Sequence, residues 1–180
     1  PGLPARLVPA LRLPDGTVVG ETIAMAETLA ERHPDKGLWP VAAIDRAAAR
    51  WLCAEMATGF FALRSDCPMQ LNRCYQGFKA TSETLADLRR IETIWAHARA
   101  TSGAGSGWLF GEYSLADIFY TPVAARIIGF DLPVSDASRA YCIDLLSFGP
   151  VKEWRAEGQK TQITPVPYAL SLPSKPWPLT

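Results

Sequence analysis

Leu7-Val8-Pro9-Ala10-Leu11-Arg12-Leu13-Pro14-Asp15-Gly16-Thr17-Val18-Val19-Gly20-Glu21-Thr22 is the stretch that decides the fold. An apolar run bounded by prolines leads into Pro14-Asp15-Gly16. This is a turn in which Pro presets its own φ and Gly accepts a positive one. A second apolar run, Val18-Val19, follows, and two such runs about a turn form a hairpin. From Glu21 on, Ile23, Ala24, Leu29 and Ala30 recur at helical spacing until Pro34 closes the helix. Strand, strand and helix are too little to fold alone, because a two-stranded hairpin is marginal in water.

Downstream the pattern changes. Residues 34–42 are rich in breakers and contain two docking side chains, Leu38 and Trp39. Beyond them the periodicity is helical. Ala47, Trp51, Ala54, Phe61 and Leu63 recur through 45–66, and Leu85, Leu88, Ile91, Trp95 and Ala98 through 82–101. Gly103, Gly105 and Gly107 mark a loop. Ser114 and Asp117 then have the spacing of a capping box, with Tyr113 and Ile118 placed as a hydrophobic staple. The helix they open is apolar around most of its circumference and is expected to be central and buried. Asp117→Ala is expected to cost about 1 kcal/mol, or up to about 2 if the cap is buried. Shorter helices follow at 136–147 and 150–158. No strand is expected within 45–100. The expected division is a partial β-β-α domain at 1–35, an all-helical domain at 43–160 and an extended tail at 161–180.

Composition narrows the classes. The 180 residues are 48% hydrophobic and 20% charged, enough for a real core. Net charge is zero, so no electrostatic footprint for nucleic acid or an anionic membrane is visible. No apolar run is long enough to span a bilayer. Cys53, Cys67, Cys74 and Cys142 contain no Cys-x-x-Cys pair, and His33 and His97 lie far from them in sequence, so no metal site is expected. Free buried thiols of a reducing cytoplasm are the expectation.

Three patterns together resemble the glutathione transferase family. They are Val8-Pro9-Ala10-Leu11 with Asp15-Gly16 and Glu21-Thr22-Ile23-Ala24, the linker Leu38-Trp39-Pro40, and Gly111-x-x-Ser114-Leu115-Ala116-Asp117. The resemblance implies a mostly α chain. A helical bundle like the family's C-terminal domain would be preceded by a partial thioredoxin-like β-β-α segment. It also implies a cis peptide bond before Pro9 and glutathione, as a substrate, on Val8, Pro9, Glu21 and Thr22. In that arrangement Val8 contacts the cysteinyl part through its backbone. Glu21 pairs with the γ-glutamyl ammonium, while Thr22 and the helix N-terminal N–H groups hold its carboxylate. The family commonly has a basic residue before this Val; here Leu7 stands there, with Arg6 one step earlier.

The catalytic Ser, Tyr or Cys of the family belongs to an earlier strand–helix–strand unit, so the resemblance places it upstream of Pro1. No residue here inherits that role, and Ser114 in particular is a structural N-cap beside Asp117. Met56 and Phe60 are candidates for the electrophile pocket, with core packing as the alternative. The implied activity is conjugation of glutathione thiolate to a small electrophile by a cytoplasmic homodimer. Two other readings stay open: a non-catalytic binding or structural module, and a glutathione-dependent isomerase.

Overall fold

The computed structural model describes residues 7–105, 107–160 and 170–177. Strands β1 (Leu11–Arg12) and β2 (Val18–Val19) pair antiparallel, Leu11 opposite Val19 and Arg12 opposite Val18. The turn between them closes as its residues require: the Gly16 N–H donates to the Leu13 carbonyl, and the Asp15 carboxylate accepts from the Thr17 N–H at 2.8 Å. Helix α1 (Thr22–Arg32) follows and buries Met25 and Ala26. A single 3-10 turn, Pro34–Lys36, leads into the linker. Leu38 and Trp39 dock as expected: Trp39 is buried, and the Leu38 carbonyl accepts from the Leu115 N–H at 2.9 Å.

Six further helices make the bundle: α2 (Ala43–Thr58), α3 (Phe61–Asp66), α4 (Ser82–Ser102), α5 (Leu115–Gly129), α6 (Asp136–Ser147) and α7 (Gly149–Gln159). Helix α5 is the central one, packed between α2 and α6. Its burial continues round most of its surface, from Leu115 through Tyr120, Val123 and Ile127. Trp95 of α4 meets Tyr120 and Tyr141 edge-on, with ring centroids at 5.4 Å and 4.9 Å. All three rings are almost fully buried.

The capping box at the head of α5 forms, and it reaches further than its own helix. Asp117 is fully buried. Its carboxylate accepts from the Ser114 N–H at 3.0 Å and the Ser114 hydroxyl at 3.3 Å. It also accepts from the Leu109 N–H at 3.1 Å and the Tyr141 hydroxyl at 2.8 Å. Burial pushes the Asp117 carboxyl above the usual range, against the pull of those four donors. Of the staple partners, Tyr113 packs against Phe148 with ring centroids at 4.0 Å and meets Trp108 edge-on at 5.0 Å, while Ile118 is 42% exposed.

Two sequence expectations are corrected. The run 45–66 is two helices, not one. A β-carbon at Gly59 would lie 2.8 Å from the Glu55 carbonyl oxygen, so the chain turns there only because glycine stands there. Phe60 follows in the left-handed region, and Asp87 of α4 caps the new helix by accepting from the Leu63 N–H at 3.0 Å. Strand β3 (Arg73–Tyr75) falls inside the stretch expected to hold no strand. Its partner is β4 (Ser174–Pro176), from the region assigned to the extended tail. The remainder of that tail, 161–169 and 178–180, lies outside the described residues, as do residues 1–6 of the first segment.

β4 is extended and exposed, but the residue after it is not. Trp177 is 5% exposed, and its N–H donates to the Asn72 carbonyl at 3.2 Å. The Arg155 guanidinium lies over its ring at 4.8 Å. The ring occupies the space above Gly129, where a β-carbon would be 3.0 Å from it.

Asp117→Ala leaves four donors (the Leu109 and Ser114 N–H and the Ser114 and Tyr141 hydroxyls) without this acceptor. The expected loss is therefore about 3 kcal/mol, above the range for a simple cap. A chemical denaturation midpoint equal to wild type would refute the four-bond role. Gly129→Ala is expected to lower stability by about 1–2 kcal/mol through collision with Trp177. The same change in a Trp177→Ala background is expected to be nearly neutral, and additive effects in that double-mutant cycle would disprove the contact.

Candidate functional site

The four residues singled out by the sequence lie where the hairpin meets α1. The Val8–Pro9 peptide bond is cis. Val8 and Pro9 immediately precede β1, and Glu21 and Thr22 follow β2, so both pairs flank the open end of the hairpin. All four candidate residues thus lie at one end of the hairpin, and all four are exposed. Val8 is 92% exposed, so its backbone is open to solvent at this edge.

Glu21 is the N-cap of α1 and has φ 63 and ψ 127. A non-glycine residue in that part of backbone space carries strain of order 1–3 kcal/mol. No side chain caps this helix end. The first helical bond is from the Met25 N–H to the Glu21 carbonyl, at 3.0 Å. The N–H groups of Thr22, Ile23 and Ala24 precede it and form the open end of an 11-residue helix. Free N–H groups aligned with the helix dipole favour an anion there. The Glu21 carboxylate beside them favours a cation. One small surface therefore offers complementary partners to a zwitterion.

Helix α1 is tied to the bundle by charge as well as by its apolar face. Arg50 of α2 grips Glu27 of α1 with two bonds, 2.5 Å and 2.8 Å, and its guanidinium lies 5.7 Å from the Trp39 ring. Arg90 of α4 grips Glu55 of α2 the same way, at 2.7 Å and 3.0 Å. Both pairs are part-exposed, so each adds little stability, but each fixes one helix against another. Arg64 is occupied with the carbonyls of Ala57 and Gly59. The sequence could not tell which arginines were committed to partners in this way.

No thiol of the chain is positioned to serve this site. Cys53, Cys67, Cys74 and Cys142 are all buried and free. Burial pushes every one of them up, Cys67 and Cys142 to about 12. Such thiols are unreactive at neutral pH. Ser114 is 4% exposed and bound to Asp117. Met56 and Phe60 are 7% and 6% exposed and sit within the main core, where the packing alternative put them. Among the described residues, no group of three or more His, Cys, Asp or Glu side chains could hold a metal ion. No described helix is long and apolar enough to cross a membrane.

No family model and no curated protein sequence matches the chain. Solved structures do. A glutathione transferase homolog from Burkholderia gl BGR1 with bound glutathione superposes with a TM-score of 0.63 at 19% identity, over 87% of this chain and 76% of that one. A sphingomonad glutathione S-transferase complexed with glutathione gives 0.57 at 19%, over 86% and 74%. A glutathione transferase from Methylococcus capsulatus gives 0.58 at 23%, over 84% and 74%. The hairpin with its following helix, the docked linker and the buried helix opened by a capping box are thus parts of one known architecture, and the chain has the fold of the glutathione transferases.

Proposed function

We propose that the chain is the γ-glutamyl-binding and helical part of a glutathione transferase. The observation that carries this is the open N-terminus of α1 joined to the strained Glu21. Three free N–H groups and the Thr22 hydroxyl suit the γ-glutamyl carboxylate, and the Glu21 carboxylate suits its ammonium. A strained backbone at an exposed site has no packing role to account for it, whereas a ligand grip does. Val8 presents its backbone to the cysteinyl part from the segment before β1. The two relatives solved with glutathione support the choice of ligand.

On this reading glutathione is a substrate, and its thiolate attacks a small electrophile. A donor to the sulfur lowers the thiol pKa and so raises the thiolate fraction. The described residues provide no such donor at this end of the hairpin. The electrophile lies against the helical domain next to α2. Met56 and Phe60 shape that wall from within the core rather than by touching the electrophile. Two copies associate through the outer face of α2 and α4. There Trp51 is 45% exposed, lies edge-on to His97 at 6.1 Å and is flanked by Arg90 at 5.7 Å.

Nuclear magnetic resonance tests the ligand site directly. Titration of the chain with glutathione is expected to shift the amide signals of Thr22, Ile23 and Ala24. Glu21→Ala is expected to abolish those shifts, and no conjugation above background is expected from the chain alone. Shifts confined to other residues, or robust turnover, would show that the site is misplaced. The strain at Glu21 has its own test. Glu21→Gly is expected to be about 1 kcal/mol more stable than Glu21→Ala, since glycine takes positive φ without cost. Equal melting temperatures would remove backbone strain from the account. For association, light scattering is expected to show a dimer that Trp51→Glu converts to monomer; a wild-type chain that stays monomeric at high concentration would exclude the face named above.

A further inference from the structure

We propose that a cavity at the far end of α5 is a second ligand site, built for a small zwitterion of the α-amino-acid type with an apolar side chain. The cavity has a volume of about 400 Å³, within the range of small-molecule sites. It is lined by Tyr75 of β3 with Gln76 and Gly77 after it, Ile128 in the last turn of α5, Asp131 just past that helix, and Lys175 of β4. It is separate from the surface at Glu21. The linker touches α5 at Leu115, its first residue, whereas the cavity lies at its last turn. At 1.5 Å per residue these ends are about 20 Å apart.

The charges of the cavity select the ligand. Lys175 has no ion-pair partner among the described residues. Asp131 has one, Arg139 at 3.2 Å, in a largely exposed pair of the kind that contributes little. Arg139 also donates to the Leu132 carbonyl at 2.8 Å. Asp131 thus keeps acceptor capacity for a ligand. Lys175 and Asp131 face one cavity and form no ion pair with each other. A simple anion would meet the carboxylate, and a simple cation would meet the ammonium. A molecule with both charges satisfies both walls, and the unwanted pairings exclude its singly charged analogues. Tyr75 and Ile128 supply apolar surface to the same cavity. The Tyr75 ring is held against Phe130 at 4.9 Å.

The lysine wall is held in place rather than loose. β4 pairs Lys175 with Cys74, and the neighbouring pairs are Arg73 with Pro176 and Tyr75 with Ser174. Trp177 anchors the strand from below, between Gly129 and Arg155. A backbone fixed on both sides of Lys175 reduces the ordering cost of binding.

Calorimetry of the 180-residue chain with L-phenylalanine, 3-phenylpropionate and 2-phenylethylamine tests the proposal. Phenylalanine is expected to bind one-to-one, and each singly charged analogue about tenfold more weakly or not at all. Lys175→Met and Asp131→Asn are each expected to weaken phenylalanine binding by about tenfold. Both positions are exposed, so circular dichroism of the variants is expected to match wild type. Glu21→Ala removes the amino-acid grip at α1 and is expected to leave phenylalanine binding at this cavity unchanged, so titrating that variant keeps the test independent of the glutathione reading. No detectable binding, equal binding of either analogue, insensitivity to both cavity variants, or loss of binding in Glu21→Ala would each overturn it.

Discussion

The buried carboxylate of Asp117 is the interaction on which the rest of the bundle depends. Its four hydrogen bonds join the incoming loop at Leu109, the cap at Ser114 and helix α6 at Tyr141. A carboxylate this deep is costly unless its oxygens are satisfied, and here the donors come from three separate segments. The charge therefore specifies how those segments meet. Tyr141 in turn packs edge-on against Trp95, and Trp95 against Tyr120, whose hydroxyl donates to the Leu52 carbonyl at 3.1 Å. One chain of contacts thus runs from the head of α5 to α2.

The same device recurs at lower cost elsewhere. Asp87 of α4 accepts from the Leu63 N–H at the start of α3, and Glu92 of α4 accepts from the Ser135 N–H and hydroxyl at the start of α6. Arginines serve the opposite ends. Arg126 donates to the Cys67 carbonyl just past α3, and Arg64 to Ala57 and Gly59 at the end of α2. Each match satisfies orphan groups at a helix end and has the sign the helix dipole favours. Stability and specificity of arrangement come from the same bonds.

The head of α1 stands apart from this pattern. Its N–H groups have no side-chain cap, and the residue that begins it is held at positive φ. α2 also lacks a side-chain cap, but its N-cap, Ala42, has ordinary extended geometry. An exposed, strained and uncapped helix start is poor design for stability alone. It is suited to a ligand that brings both a carboxylate and an ammonium.

What the sequence determined by itself was local. The turn at Pro14-Asp15-Gly16, the hairpin and α1, the capping box at Ser114 and Asp117, and α4 over 82–102 follow from signals within a few residues of one another. So does the position of Glu21 and Thr22 at a helix start. Tertiary structure decided the rest, because the determining partner lies far along the chain or in the backbone itself. The break between α2 and α3 depends on the space beside Gly59 and on Asp87. Strand β3 exists because β4, about a hundred residues later, supplies its ladder, and nothing in Arg73-Cys74-Tyr75 announces that partner. Tyr141 reaches Asp117 across 24 residues, and the strain at Glu21 is a backbone angle that no side-chain pattern records. Periodicity and caps report which face a helix will bury; they do not report what will be on the other side.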